Sequence, residues 1–207
     1  MKNYCFQSLW AFLLIALFQY NGAFAQEGMD VPADPTDISP LLIGEQIPVS
    51  QVKDIDGNIK SLNEIVAKKP TLLIFYRGGW CPYCNKHLAE LQSIEQDILG
   101  MGYQIVAISP DAPEQLKATV DKNELTYSLY SDNDLKVTKA FGLAFQAPGR
   151  YKEMLFKASA QLNPGIIPVP AVFALDTKGN IQFEYINPNY DTRISGDLIK
   201  AALGTLK

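Results

Sequence analysis

Arg77-Gly78-Gly79-Trp80-Cys81-Pro82-Tyr83-Cys84 is the stretch that decides how this 207-residue chain is read. It follows an apolar run, Thr71-Leu72-Leu73-Ile74-Phe75-Tyr76, which predicts a buried strand. It also opens a helical pattern in which Leu88, Leu91, Ile94 and Ile98 keep one apolar face until Gly100 and Gly102 end it. A thiol at a helix start is stabilised as thiolate by unpaired backbone N–H groups and by the positive end of the helix dipole. Cys84 stands one turn further on, so the two sulfurs can cycle between dithiol and disulfide. The spacing points to thiol redox chemistry, with Cys81 as the more exposed nucleophile and Cys84 as the resolving thiol. A structural disulfide is the competing reading. A loop closed between i and i+3 is very short, however, and the chain-entropy model credits it with only about 2 kcal/mol.

The remaining cysteine, Cys5, falls in residues 1–25, which read as a signal peptide. Met1-Lys2-Asn3 is a short basic start, Leu9 to Phe18 an apolar run, and Ala23-Phe24-Ala25 a small-x-small cleavage site with Gln26 as the new N-terminus. The apolar run is shorter than the roughly 20 residues a membrane span needs. The expectation is export, to a bacterial periplasm, with no stable membrane insertion after cleavage. Asp and Glu number 22 against 18 Lys and Arg. No basic block or stripe is present to hold phosphates, so nucleic acid is not an expected partner.

Residues 26–42, with Pro32, Pro35 and Pro40, predict an extended N-terminal arm before a single domain over 43–207. Val49 to Lys53 and Ile59-Lys60 flank Asp56-Gly57-Asn58, a hairpin signal. Ser61-Leu62-Asn63-Glu64 reads as a capping box. Tyr103 to Ser109 predicts a buried strand, Pro113 to Lys122 a helix started by Asp111, Leu129-Tyr130 a short strand, and Leu135 to Phe141 a helix. Gly142 to Pro168 reads as an insertion with one helical stretch, Tyr151 to Leu162. Ala171 to Leu175 and Ile181 to Ile186 close as a hairpin over Asp176 to Asn180, and Gly196 to Leu203 forms the last helix. Strands that alternate with helices until a final hairpin imply an α/β fold, a mixed central sheet flanked by helices.

Strand, Trp-Cys-x-x-Cys helix and Val169-Pro170 before a final strand pair resemble the thioredoxin fold, in which a cis-proline faces the active disulfide. Val106 to Asp111, Leu129-Tyr130-Ser131-Asp132 and Val172 to Asp176 with Gly179-Asn180-Ile181 are similar to peroxiredoxins of the alkyl hydroperoxide reductase and thiol-specific antioxidant type. The resemblance covers roughly residues 41 to 205 and implies a thiol-based antioxidant oxidoreductase. In that scheme Cys81 reduces peroxides, Cys84 closes the redox-active disulfide, and an external dithiol protein restores both thiols. Two positions depart from the family pattern. Gly78 stands where the family has Thr or Ser, three before the reactive cysteine, and Ala171 and Val172 stand where it has an Arg. Arg77 or Arg193 could supply the missing charge.

Arg77, Trp80 and Pro170 are the expected supports of the site. Each has a plainer reading: a solvated charge at a strand end, a packing aromatic and an ordinary loop proline. His87, the chain's single histidine, is three residues beyond Cys84 and reads as a helix-surface side chain rather than a metal ligand, because the mature chain offers too few further Cys or His. Neither redox scheme needs a metal or an organic cofactor. Thioredoxin-like disulfide exchange on exported proteins is the first alternative function. A redox-inert module holding a peptide beside Val169-Pro170 is the second.

Overall fold

The computed structural model describes residues 31–206. The signal segment 1–25 with Cys5, and the start of the arm, lie outside the described residues. Within them, side-chain alternation along β3 (Thr71–Phe75) sets the layering, because all its residues are buried and successive side chains leave opposite faces. Leu72 and Ile74, with Tyr76 just beyond, enter one core, while Leu73 and Phe75 enter another. β4 (Gln104–Ser109) and β8 (Ala171–Leu175) repeat the division, Ile105, Ala107, Val172 and Ala174 facing the first core and Val106, Ile108, Ala171 and Phe173 the second. A strand covered on both sides has no polar face, which is why these segments appear as unbroken apolar runs.

β1 (Gln51–Lys53), β2 (Ile59–Ser61), β5 (Ser128–Ser131) and β9 (Ile181–Ile186) complete a seven-stranded sheet of order β2-β1-β5-β4-β3-β8-β9. β3, β4 and β5 run parallel, and β8 and β9 return antiparallel beside them. The first core is covered by α2 (Pro82–Ser93), α3 (Glu95–Gly100), α4 (Pro113–Asn123) and α7 (Gly196–Thr205). The second is covered by α1 (Leu62–Val66) and α5 (Lys136–Ala140). Phe141, after α5, stacks on Phe75 at 4.7 Å and on Phe173 at 5.6 Å. The Ser61 hydroxyl accepts from Glu64 N–H and caps α1 as its sequence predicts. Among the described residues no helix is long and apolar enough to cross a membrane.

Three expectations need correction. The helix after Cys81 is not continuous: it breaks at Ile94 (φ −110°, ψ 5°). Ser93 Oγ donates to the Glu90 carbonyl at 2.6 Å, a back-bond that bends helices, and Glu95 turns inward to accept from Thr126 Oγ1. Asp111 does not cap α4. The N-cap is Ala112, and the Asp111 carboxylate turns away to the cysteine motif. The 142–168 insertion is more structured than a single helix. β6 (Ala144–Gln146) and β7 (Ile166–Pro168) pair antiparallel around α6 (Lys152–Ala158). The helix stops early because Ala160 and Gln161 take positive φ, and the Ser159 hydroxyl accepts from Asn163 N–H at 2.8 Å.

The arm from residue 31 to 42 carries no strand or helix, and Leu41 N–H donates to the Phe141 carbonyl at 3.2 Å. Beyond it, Gly44 and Ile47 donate to the carbonyls of Ile181 and Gly179, both at 2.9 Å, so the chain is tied to the closing hairpin where the domain begins.

Candidate active site

Cys81 is the N-cap of α2, in extended conformation (φ −87°, ψ 117°), and Pro82 takes the first helical turn. Proline suits that turn because its φ is preset and its missing N–H would have no helical partner there. The sulfur therefore sits at the end of the helix where N–H groups are unpaired and the dipole is positive. Cys84 follows inside the same turn. Both are free thiols and both belong to the first core.

The turn that presents Cys81 leaves little room for a side chain at either glycine. Gly78 has φ +139°, and a Cβ there would run into Trp80 Nε1 and Asp111 Oδ1. A Cβ on Gly79 would run into Thr119 Oγ1. Gly79 N–H donates to Asp111 Oδ2 at 2.7 Å, and Asn85 Nδ2 donates to the Gly79 carbonyl at 2.8 Å, so the turn is held from the β4–α4 loop and from α2 itself. Burial raises the Asp111 carboxyl to about 6, against the lowering effect of the Gly79 N–H.

The two thiols differ in acidity. Cys81 is held down to about 6, first by the Cys84 thiol that faces its sulfur and then by the Cys84 backbone N–H and the charges of Arg77 and Arg193, all against the cost of burial. Cys84 is pushed well above the ordinary thiol range, first by burial and then by Cys81, although Arg193 Nη2 donates to its sulfur at 3.7 Å.

Arg77 is buried, at 3% exposure, rather than solvated. Its guanidinium lies 4.2 Å from the ring centroid of Tyr190, 4.9 Å from Trp80 and 5.4 Å from Tyr151. Trp80 and Tyr151 stack at 5.2 Å, and Trp80 packs against the satellite core of Phe145, Leu155, Ile167 and Val169. The insertion thus supplies one wall of the arginine's aromatic enclosure. A groove of about 580 Å³ runs from Gly79 and Trp80 along α4 to Arg150 and Met154.

The structure overturns three readings of these side chains. Cys81 is not exposed: it has 1% exposure, as does Cys84, because Trp80 and the core close over the turn. His87 is not on the helix surface. It has 5% exposure, and it falls on the Cys84, Leu88 and Leu91 stripe that faces the sheet. The Val169–Pro170 bond is trans, since no cis peptide occurs among the described residues, and Pro170 is a buried residue leading into β8. It still lines a small cavity with His87 and Arg193. Tyr151, Tyr190 and Asp111 have no signal as site residues in the sequence, because each reaches the motif from a distant segment.

The sequence profile of the AhpC/TSA family matches residues 43–184. Peroxiredoxin Q of Populus jackii chloroplasts is 29% identical over 144 residues, 70% of this chain and 60% of that protein. Peroxiredoxin Bcp of Escherichia coli is 28% identical over 106 residues, 51% of this chain and 67% of that protein. The crystal structure of reduced Prx3 from Vibrio vulnificus superposes with a TM-score of 0.68 at 18% identity, over 79% of this chain and 99% of that one, which places the fold among thioredoxin-like peroxiredoxins. With the profile spanning the sheet from before β1 into β9, the chain belongs to the AhpC/TSA family.

Proposed function

We propose that this thiol-dependent antioxidant oxidoreductase reduces peroxides with Cys81 as nucleophile and Cys84 as resolving thiol. The carrying observation is the opposed acidity of two adjacent thiols at one helix start, Cys81 at about 6 and Cys84 well above the ordinary range. At pH 7 the thiolate is the predominant form of Cys81. The thiolate attacks one peroxide oxygen, an S–O bond forms as the O–O bond breaks, and the departing alkoxide or hydroxide takes up a proton. Cys84 then attacks the sulfenic sulfur, the S–O bond breaks, and water leaves as the disulfide forms. An external dithiol protein of the thioredoxin type reduces it by exchange. Burial of Cys81 to 1% exposure favours a small peroxide over a folded protein disulfide as the first reactant, and family membership favours neither disulfide exchange nor peptide binding.

Arg77, Trp80 and Pro170 act as supports in this reading. Arg77 and Arg193 take the place of the strand arginine that Ala171 and Val172 replace. Export is part of the proposal and rests on residues 1–25. Intact mass of the protein recovered from a bacterial host's periplasm should correspond to a chain starting at Gln26; a species retaining residues 1–25 overturns export.

Alkylation of the reduced protein should label Cys81 with a midpoint near pH 6 and leave Cys84 unlabelled across the range in which Cys81 titrates. A depressed thiol gains thiolate as pH rises through its pKa, so labelling should plateau above about pH 7. A midpoint above pH 8, or earlier labelling of Cys84, reverses the roles. Cys84→Ser should consume one equivalent of peroxide and stop with a dimedone-reactive sulfenic acid on Cys81, and rapid multiple turnover by that variant would contradict the resolving role. Gly78→Thr restores the family residue but drives a Cβ into Trp80 and Asp111. Its kcat/KM for hydrogen peroxide should fall by at least about tenfold, the size of effect expected when a reacting group is misplaced. Unchanged or improved turnover would show that the glycine is not required.

A further inference from the structure

His87 is a buried titratable group for which the peroxide chemistry above has no use. The residue is at 5% exposure, and no protein group partners its Nε2. Cys84 and His87 are three residues apart on α2, a spacing that places their Cβ atoms about 5–6 Å from one another on one face. Helical side chains lean toward the N-terminus, so the imidazole leans over the turn that carries Cys84. A cavity of about 10 Å³, close to the space of one water, adjoins the ring. Arg193 and the Tyr185 phenol line it along with Pro170, Val172 and Ile194, and no carboxylate among the described residues does. Arg193 connects the two groups: it lines the His87 cavity and donates to Cys84 Sγ at 3.7 Å.

We propose that His87 is the proton acceptor for the Cys84 thiol in the resolving step, the two residues being neighbours on one face of α2 that share Arg193. The proposal rests on the peroxidase reading, because it assigns a residue to that cycle's second reaction. Cys84 is buried and its thiol is held protonated, so disulfide formation needs a base inside the protein. Burial and then the charge of Arg193 push His87 down to about 4, so the imidazole is neutral at working pH with its lone pair available, and the same two effects make its protonated form costly, so that it acts in concert with S–S bond formation. Proton transfer creates an imidazolium beside a thiolate, and their attraction in a low-dielectric site offsets part of the unfavourable difference in acidity. The electron pair of Cys84 forms the S–S bond to Cys81 as the S–O bond breaks. Hydroxide departs and takes up one proton, so the net products are disulfide and water, with His87 returned to its neutral form.

Reduced wild type, His87→Asn and His87→Gln would be mixed with hydrogen peroxide and quenched with dimedone, and Cys81 sulfenic acid and Cys81–Cys84 disulfide followed by mass over time. Both variants should lose the Cys81 thiol within about twofold of the wild-type rate, and form disulfide at least about tenfold more slowly, with sulfenic acid accumulating between. Wild-type disulfide formation should be flat with pH above about 5 and fall as pH drops through the His87 pKa near 4; in the variants it should rise with pH throughout. Disulfide formation at the wild-type rate in either folded variant overturns the His87 role alone. Failure of wild-type Cys81 to form any sulfenic acid or disulfide overturns the peroxidase reading, and this proposal with it. If neither variant folds, the wild type still decides: His87 is the single histidine, and its imidazole NMR signal should shift as Cys84 ionises at alkaline pH. A signal indifferent to that ionisation overturns the assignment.

Discussion

The hydrogen bond from Gly79 N–H to Asp111 Oδ2, 2.7 Å long, is the contact on which the site depends. It joins the turn after β3 to the loop after β4, two neighbouring parallel strands whose C-terminal ends open on the same side. Such ends are where an open α/β sheet places its reactive groups. The bond also explains why both turn residues are glycine: the space a side chain would need is filled by Trp80, Asp111 and Thr119. With the turn fixed, Cys81 has to be the cap of α2 and Pro82 its first residue, and the electrostatics of the helix start follow.

Charge reaches the sulfurs by a route that differs from the family pattern. The position after Pro170 is occupied by Ala171 and Val172, which are spent on packing, one in each core. Arg77 and Arg193 approach from the other sides, and both lower Cys81. A guanidinium is costly to bury without partners, and Arg77 Nε has none among protein groups. Its cost is offset by the faces of Trp80, Tyr151 and Tyr190, which come from the turn, the insertion and the loop before α7. The insertion therefore belongs to the site as much as to the fold.

Much of this was legible in the sequence. The strands were visible because burial on both faces leaves no polar residue, and α1 because Ser61 and Glu64 carry a capping signature. Cys81 and Cys84 stood out by spacing. What was hidden is tertiary. The break at Ile94 depends on Glu95 finding Thr126, and the burial of Cys81 depends on Trp80 being packed from the insertion. For His87 a signal did exist. Cys84, His87, Leu88 and Leu91 form one helical stripe, and a histidine on that stripe faces the sheet with the leucines.

The short loop between the cysteines has a further consequence. Both lie within one turn of α2, so disulfide formation calls for local adjustment of that turn and no separation of packed elements. Closing so few residues removes little entropy from the unfolded chain, about 2 kcal/mol on the chain-entropy model, and the bond contributes little to holding the fold. Stabilising the Cys81 thiolate also stabilises the reduced state, which makes the disulfide easier for an external dithiol to reduce. In the proposed cycle, the charges that lower Cys81 thus serve both the attack on peroxide and the recovery afterwards. Burial sets the remaining condition. With Cys81 and Cys84 both at 1% exposure, a disulfide between them has to shift outward to meet a protein reductant; Tyr83, in the first turn of α2, is exposed and meets the exposed Tyr190 edge to face at 5.8 Å.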